Sequence, residues 1–286
     1  MPAALARTLL LALLACMLAP PALAQNGALD RIARDRTIVM GYVEGAAPFS
    51  STGDDGQPQG YSVDLCRAVA EAVGAQLKIA DLKTRWVPLT VQNRLEAVRA
   101  KRVDLECSTT TWTLRRQSLV DFSLITFVDG ANILTRAEAG AARVDDLSGK
   151  RIAVMPGTTT EKVLREALAR RQVKAEVVTI TSRAEGVQMV EQAKVDGLAS
   201  DRTTLIVAAA GANRNRFRLM DEDLSVEPYA LALPRDDHDF RLAVNRALAG
   251  LYRGGGIKPI YERWLGPLGS PSFLLTAAYF IQSLAE

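Results

Sequence analysis

Short apolar runs of strand length alternate with longer runs of helical periodicity along most of this chain, and this alternation constrains its fold more than any other feature. Residues 37–42 (TIVMGY) have the length and composition of a buried strand, and residues 62–74 (SVDLCRAVAEAVG) carry apolar side chains at helical spacing. The pattern returns at residues 151–154 (RIAV), which precede the helical run 162–171 (KVLREALARR). Strands that alternate with helices pack as a sheet covered by those helices, so the sequence predicts an α/β fold.

The first 24 residues have the layout of a secretion signal rather than of a folded element. Arg7 precedes an apolar run, residues 9–18, and two prolines then lead to Ala22-Leu23-Ala24, a cleavage site of small residues. The apolar run is too short to span a bilayer. We therefore predict that residues 1–24 are a cleaved signal peptide and that the mature protein is periplasmic. Lipoprotein processing at Cys16 is the rival interpretation.

Charge and residue types argue against several other functions. The net charge of +3 is spread along the chain without a basic block, so no nucleic-acid partner is predicted. The only histidine, His238, lies in a polar run ahead of a helix, which favours neither a histidine metal site nor a Ser-His-Asp triad. We expect no metal and no cofactor. After signal cleavage two cysteines remain, Cys66 and Cys107, and their positions fit one disulfide and two buried thiols equally well.

Two segments of the chain are similar to each other, which indicates a repeated architecture. Residues 100–108 (AKRVDLECS) and 193–200 (AKVDGLAS) both end a predicted helix and enter a short strand that finishes in hydroxyl groups. Residues 121–135 (DFSLITFVDGANILT) form an extended run that is too rich in β-forming residues for a helix. Residues 229–233 (YALAL) form another. We predict two similar α/β lobes, with the extended runs crossing between them.

Polar side chains accumulate where the predicted strands end. Residues 108–111 place one serine and three threonines there, and Arg116 follows. Thr90 is the predicted N-cap of a helix over residues 91–99, which puts Arg94 in the first turn. Ligands of open α/β sheets bind beyond the carboxyl ends of the strands, and a guanidinium with hydroxyl donors can hold a carboxylate. With Asp201 as acceptor for an ammonium group, the whole set complements an amino acid zwitterion with a polar side chain: Arg94, Thr109, Thr111, Arg116, Thr158, Thr159 and Asp201.

Ordinary structural roles account for the same residues taken singly. A Ser/Thr loop that caps a helix explains residues 108–111, with Arg116 as a solvated charge. Thr158 and Glu161 have the spacing of a capping box, which is common where a strand leads into a helix. Asp201 fits a turn or cap. Both interpretations stay open for each residue. A binding site is favoured because all of these residues lie at the ends of predicted strands or the starts of the helices that follow.

Several segments together resemble the periplasmic amino-acid-binding proteins of ABC importers, solute-binding protein family 3, and most closely the glutamate/aspartate-binding branch. The most specific are QNR at residues 92–94 and ECSTTTWTLRRQ at residues 106–117. GYSVDLCRAVAEAVG, GKRIAVMPGTTTE, VDGLASD and GGIKPIYERWLG extend the similarity over nearly the whole mature chain. The resemblance implies a two-lobed, type II (Venus-flytrap) fold with two crossing hinge strands. Lobe 1 would comprise residues 25–128 and 227–286, and lobe 2 residues 129–226.

The resemblance also implies a role for each side chain. One group would hold the α-carboxylate of the ligand, a second its α-ammonium, and a third its side chain. Arg116 with Thr111 and Thr158, and with Thr159 beside them, would hold the α-carboxylate. Asp201 with Thr109 would receive the α-ammonium. Arg94 would face the ligand side chain, with Arg183 in the place of a histidine of that branch.

This chain departs from the glutamate/aspartate-binding branch at two positions. Val43 stands where the branch has an arginine, and Val91 stands where it has a serine before QNR. Arg94 and Arg183 remain to neutralise a side-chain carboxylate. The expected ligand is therefore a polar or acidic L-amino acid, glutamate- or aspartate-like, which a monomeric protein closes upon and delivers to a membrane ABC permease.

Two other functions use the same fold. A cyclohexadienyl-dehydratase-like enzyme would need a carboxylate poised in the cleft, and Glu106 is the candidate. A buried carboxylate paired with a nearby arginine is the structural interpretation of Glu106 and the preferred one, so we predict no catalytic residue and no enzyme activity. A sensory module that presents bound ligand to a membrane receptor would need the same cleft.

Overall fold

The computed structural model describes residues 27–139, 141–211 and 214–285 of the chain. The predicted signal peptide, residues 1–24, and its alternative processing site Cys16 lie outside the described residues. Within the described part, no helix combines the length and the apolar character that crossing a bilayer requires.

The first half of the described chain follows the predicted order of strands and helices. Its elements are, in chain order, α1 (Ala28–Asp35), β1 (Thr37–Val43), β2 (Ser51–Thr52), β3 (Pro58–Gln59), α2 (Tyr61–Gln76), β4 (Lys83–Leu89), α3 (Arg94–Arg99), β5 (Leu105–Glu106) and α4 (Leu114–Gln117). Strand β1 is buried along almost its whole length and pairs in parallel with both β4 and β5. Helix α2 covers it because Leu65, Val69 and Val73, four residues apart, present one apolar face to Met40 and its neighbours.

The second half repeats this construction after a long strand. Its elements are β6 (Asp121–Arg136), β7 (Arg151–Val154), α5 (Thr159–Arg170), β8 (Glu176–Thr179), α6 (Arg183–Glu191), β9 (Gly197–Asp201), α7 (Arg202–Gly211), β10 (Phe217–Leu219), β11 (Ser225–Leu233), α8 (His238–Arg253), α9 (Ile257–Trp264) and α10 (Phe273–Ile281). Short 3-10 segments join several of them. Strand β7 pairs in parallel with β8 and β9.

A single nine-stranded sheet carries both halves. Its order is β4-β1-β5-β11-β6-β9-β7-β8, with β10 paired to β6. The antiparallel strands β6 and β11 therefore lie between the parallel set of the first half and that of the second. Each half has apolar clusters of its own, around Met40 and Leu65 in the first and around Ile152 and Leu164 in the second. The predicted α/β fold is confirmed.

The similarity between the two segments around residues 104 and 196 is structural as well as sequential. The Asp104 backbone donates to the Val39 carbonyl at 2.7 Å, and the Asp104 carboxylate accepts from the Val39 N–H at 2.8 Å. Asp196 makes the same two bonds to Arg151, at 2.7 and 2.8 Å. Each aspartate thus fixes the start of the strand that enters the cleft to the first strand of its own half.

The two cysteines left open by the sequence are joined. Cys66, in α2, and Cys107, directly after β5, form a disulfide whose Cα atoms lie 6.2 Å apart. Both are fully buried in the first half of the molecule. The bridge holds the start of the hydroxyl-rich segment, residues 108–111, against a packed helix.

The C-terminal helix α10 is attached to the strand that connects the two halves. The Tyr279 hydroxyl donates to the Thr126 carbonyl at 3.1 Å, and the Gln282 side chain accepts from the Ile125 N–H at 2.7 Å. Both partners belong to β6. The helix therefore supports β6 at residues 125 and 126.

Candidate functional site

The predicted site residues form a polar cluster where the two halves meet, made of separate hydrogen-bonded groups whose charges act on one another. Six of the eight are buried, and Thr158 and Thr159 are half-buried at the start of α5. The buried six are Arg94, Thr109, Thr111, Arg116, Arg183 and Asp201. Burying this many ionisable side chains is unfavourable unless they are paired, so the pairing of each indicates what the site can bind.

The hydroxyl-rich segment after β5 is held in place by β11. Trp112 donates its N–H to the Pro228 carbonyl at 2.7 Å, and Ala230 donates to the Thr110 carbonyl at 3.1 Å. Thr111 lies between these bonds, opposite Tyr229. The backbone of the segment is therefore fixed, and its side chains project from a defined position.

Arg116 lies in the short helix α4 that follows this segment. Thr113 caps the helix by accepting the Arg116 N–H at 3.2 Å, and the Arg116 guanidinium donates to the Thr111 carbonyl at 3.0 Å. Burial, together with the nearby charge of Arg94, lowers the pKa of Arg116 to about 10. Arg116 remains a cation at neutral pH. The charges of Glu227, Glu106 and Asp201 oppose the lowering.

Arg94 is the first residue of α3, and a chain of two hydrogen bonds connects it to Glu106 through Ser108. Its guanidinium donates to the Ser108 hydroxyl at 3.2 Å, and that hydroxyl donates to Glu106 at close range. Burial and the neighbouring Arg183 lower the pKa of Arg94, and the charge of Glu106 opposes them. Glu106 is fully buried, and within the described residues its second carboxylate oxygen has no hydrogen-bond partner. Glu106 therefore compensates Arg94 through Ser108 rather than by a direct ion pair.

Arg183 and Asp201 form a buried ion pair on the other side of the cluster. The guanidinium donates to the Asp201 carboxylate at 3.2 Å and to the Ser200 hydroxyl at 3.0 Å. It also reaches the Gly45 carbonyl, in the loop after β1, at 3.5 Å. Arg183 is positioned by Ser182, which caps α6. The pair places a cation and an anion side by side and touches the first half of the molecule across the cleft.

The Thr158 hydroxyl serves the helix that it begins. It accepts the Glu161 N–H at 3.0 Å and donates to the Met155 carbonyl at 2.8 Å. The Glu161 side chain accepts from Gly157 rather than from Thr158, so only one of the two bonds of a capping box is present. The single hydrogen of this hydroxyl is used locally, and α5 presents its N-terminal N–H groups to the cluster instead.

Glu227 is a central member of the cluster that the sequence interpretation missed. Its side chain is only 2% exposed and accepts the hydroxyls of Thr111 and Thr159, at 2.7 and 2.8 Å. Ser225 donates to its other oxygen. The signal that could have identified it is a lone carboxylate inside residues 225–233 (SVEPYALAL), a run that otherwise reads as a buried strand.

Asp129, on β6, is the buried acid next to this cluster. It accepts the N–H of Gly130 at 2.9 Å, the hydroxyl of Thr203 at 3.0 Å and that of Tyr229 at 3.3 Å. Burial, with the charge of Asp201, raises the pKa of Asp129 to about 7 from its ordinary 3.8. The hydrogen bonds from Gly130 and Thr203 only partly offset the burial.

The stability of the protein is expected to fall between about pH 4 and pH 7 because of Asp129. A group whose folded-state pKa is raised stabilises the fold fully below its unfolded pKa and loses that contribution as the pH rises through the folded value. For values of 3.8 and about 7, the loss over this interval is about 3 kcal/mol in the free energy of unfolding. Urea denaturation at several pH values, on the wild type and on Asp129→Asn, measures it. Parallel pH profiles for the two proteins would show that Asp129 is ionised throughout.

The cluster as a whole has the groups that a zwitterion needs. The guanidiniums of Arg94, Arg116 and Arg183 are buried near the carboxylates of Glu227 and Asp201, and Arg183 is paired directly with Asp201. Guanidiniums bind carboxylates bidentately, and a buried carboxylate can receive an ammonium group. No grouping of three or more His, Cys, Asp or Glu residues suited to a metal occurs among the described residues.

Comparison with known proteins gives one family for most of the chain. The model of the bacterial extracellular solute-binding proteins, family 3, matches residues 38–267. The chain is 31% identical over 257 residues to an L-glutamate/L-aspartate-binding protein of Pseudomonas aeruginosa, covering 88% of this chain and 85% of that protein. It is 29% identical to a glutamate/aspartate import solute-binding protein of Salmonella typhimurium, covering 84% and 80% of the two chains.

Solved structures agree with this relationship. An ancestral amino-acid-binding protein, described as a precursor of cyclohexadienyl dehydratase, superimposes with a TM-score of 0.73 at 27% identity, covering 82% of this chain and 98% of that one. The structural neighbours are type II periplasmic amino-acid-binding proteins, so the predicted fold class is confirmed at the level of this fold type.

Proposed function

This chain belongs to family 3 of the bacterial extracellular solute-binding proteins, and we propose on this basis that it captures a polar or acidic L-amino acid and delivers it to an ABC permease. The observation that carries the proposal is the buried cluster of three guanidiniums beside Asp201, at the place where the two crossing strands meet. The two relatives described above are named for glutamate and aspartate. Members of the family bind solutes and are not enzymes, in agreement with the prediction for this chain.

The chain works, we propose, as two lobes that close on the ligand. Lobe 1 comprises residues 25–128 and 227–286, and lobe 2 comprises residues 129–226, so that β6 and β11 are the two connections. In this proposal the hinges are residues 127–130 and 226–229, because β6 and β11 lie between the two parallel sets of the sheet. The separate apolar clusters of the two halves support this division.

The ligand lies between Arg116 and Asp201 in this proposal. The guanidinium of Arg116 and the N-terminus of α5 hold the α-carboxylate, with Thr111 alongside. Thr158 and Thr159 contribute as the first residues of that helix end, since the Thr158 hydroxyl is used by its own cap. Asp201 and Thr109 receive the α-ammonium. Arg94 and Arg183 neutralise the ligand side chain, in the absence of a cation at Val43.

Secretion completes the proposal. Removal of residues 1–24 would release a monomer into the periplasm, in keeping with the import function for which one relative is named. Monomeric behaviour is checked by light scattering of the purified mature protein, and the cleavage site by mass spectrometry of protein recovered from the periplasm.

Calorimetric titration of refolded, ligand-stripped mature protein with a panel of L-amino acids tests the function. Binding of L-glutamate or L-aspartate with a Kd of about 1 μM, equivalent to about 8 kcal/mol, is expected. The amides L-glutamine and L-asparagine, and the basic and apolar amino acids, serve as comparisons. Failure of every amino acid in the panel would exclude the proposed function.

Arg94→Met should change which amino acid is preferred. The substitution keeps much of the side-chain volume but removes the cation proposed to face the ligand side chain, so affinity for L-glutamate should fall by about 10- to 100-fold, the effect of one hydrogen bond to a charged group. Affinity for L-glutamine should fall much less. The same calorimetric titration measures both.

Arg99→Met is the matched control for Arg94→Met. Arg99 lies at the other end of α3, is exposed, and pairs with Glu96. Its replacement should leave both affinities within about twofold, since exposed ion pairs contribute little. Equal losses for L-glutamate and L-glutamine in Arg94→Met would place Arg94 away from the ligand side chain.

A further inference from the structure

One carboxylate oxygen joins the two sides of the cleft. Oε2 of Glu227 accepts the Thr111 hydroxyl at 2.7 Å and the Thr159 hydroxyl at 2.8 Å. Thr111 follows β5 in the first half, and Thr159 begins α5 in the second. The two hydroxyl oxygens lie 3.2 Å apart, so both sides of the cleft converge on this single atom.

The side chain of Glu227 is surrounded by hydrogen-bond donors. Ser225 donates to Oε1, so both carboxylate oxygens receive hydroxyl hydrogens, and the charge of Arg116 acts on the same region. Hydrogen bonds to an ionised acceptor are about twice as strong as those between neutral groups. The arrangement therefore compensates the burial of a residue that is 2% exposed.

The bond to Thr159 differs from the other two in what happens when the lobes separate. Ser225 lies two residues away on the same strand, and Thr111 lies on the segment that is hydrogen-bonded to β11 beside Glu227. Thr111 therefore moves with Glu227, and the bond from Ser225, which lies across the proposed lobe boundary, spans only two residues of one strand and does not depend on closure. Thr159 belongs to α5, which packs in the other half. Opening of the cleft must break this bond and expose a carboxylate that is now fully enclosed.

A threonine hydroxyl carries one hydrogen, and its direction decides its role. While Thr111 and Thr159 donate to Glu227, neither hydroxyl can donate to a ligand carboxylate, and both present only lone pairs to the cleft. The carboxylate of a bound amino acid then depends on Arg116 and on backbone N–H groups. The hydroxyls serve closure instead of direct recognition.

We propose that Glu227 is a positioning residue that holds the cleft closed, and that its bond to Thr159 sets how fast bound amino acid leaves. This inference rests on the proposed function for its effect on ligand release. The contact itself is a property of the chain alone. A closing bond that is separate from the ligand contacts would slow the release of every ligand that the site accepts.

A double-mutant cycle on the dissociation rate of L-glutamate tests the bond. Glu227→Gln and Thr159→Val should each speed dissociation by about tenfold, which is an ordinary effect for a hydrogen bond to a charged group. The double variant should be no faster than the quicker single variant, because each substitution removes the same bond. Stopped-flow fluorescence of Trp112, which adjoins Thr111, supplies the signal. Additive effects, near 100-fold together, would mean that Thr159 acts on the ligand and would overturn the inference.

Ser225→Ala is the control variant for this cycle. It also removes a donor to Glu227, but one on the same strand, so the dissociation rate should stay within about twofold of the wild type. An increase in the dissociation rate as large as that of Thr159→Val would show that Glu227 supports the site in general and does not act by joining the lobes. Equal thermal midpoints for all the variants would exclude loss of folding as the cause.

A second measurement needs no ligand. Spin labels at Asp54→Cys and Gln188→Cys, two exposed positions on opposite lobes, report the separation of the lobes in protein without added amino acid. Glu227→Gln should shift the distance distribution to longer values, and an unchanged distribution would overturn the inference. If the wild type binds no amino acid, the proposed function fails while this distance measurement still decides the role of Glu227.

Discussion

Replacing Arg116 by alanine is expected to weaken L-glutamate binding by at least about 100-fold. The guanidinium is buried, stays charged despite its lowered pKa, and is already fixed by its bond to the Thr111 carbonyl. Two parallel hydrogen bonds to a carboxylate, at about 1.5–3 kcal/mol for each charged bond, account for a loss of this size. Because every α-amino acid carries the same carboxylate, the loss should be similar for all ligands of the protein, in contrast to that of Arg94→Met.

Two further variants separate the role of the Arg116 fork from other effects. Arg115→Ala removes the adjacent charge in the same helix, which is exposed, and should change the Kd by less than about twofold. Arg116→Lys keeps the charge but not the planar fork, so an intermediate loss of about tenfold is expected. Calorimetry measures all three. Wild-type affinity in Arg116→Lys would mean that charge alone is needed, and wild-type affinity in Arg116→Ala would place the ligand carboxylate elsewhere.

Local sequence pattern was sufficient for most of the fold. The strand at residues 151–154 has the predicted bounds, because a short apolar run that precedes a helical run is typical of a buried strand. The repeated segments around Asp104 and Asp196 identified the duplicated construction, since both aspartates make the same pair of backbone bonds.

Helix α3 shows where local pattern is less reliable. The predicted N-cap was Thr90, with the helix starting at residue 91, but the helix begins at Arg94. Thr90 and Asn93 instead donate to each other's side chains, at 2.9 and 3.2 Å, and form a turn. Both residue types compete for backbone groups in this way, and sequence spacing alone does not decide which turn wins. Arg94 is nonetheless in the first turn, as predicted.

The partners within the site could not be read from the sequence because they are distant along the chain. Glu227 lies 116 residues from Thr111 and 68 from Thr159, so no local pattern relates them. Arg183 and Gly45 are likewise far apart along the chain, and only the tertiary structure brings them into contact. The residue types at strand ends predicted a polar site, but the hydrogen-bond directions that divide its side chains between ligand recognition and closure come from the tertiary structure.

Removing the disulfide is expected to cost the protein about 4 kcal/mol in its free energy of unfolding. Cys66 and Cys107 are 41 residues apart, and closing a loop of that length restricts the unfolded chain by about this amount in the chain-entropy account. Urea denaturation of the Cys66→Ala/Cys107→Ala double variant measures the loss. Either single variant should lose about as much as the double variant, because each breaks the same bond.

The same variants test whether the bridge matters for binding as well as for stability. Cys107 directly precedes the hydroxyl-rich segment, but that segment is also fixed by the Trp112 and Ala230 backbone bonds to its neighbours. The folded double variant should therefore keep its affinity for L-glutamate within about threefold. Wild-type protein unfolded and refolded under reducing conditions is the matched control, since it has the native side chains without the bond. If the double variant loses less than about 1 kcal/mol, well below the usual range for a native disulfide, the two thiols are not joined in the mature protein, and the packing of α2 together with the backbone bonds to β11 positions the segment.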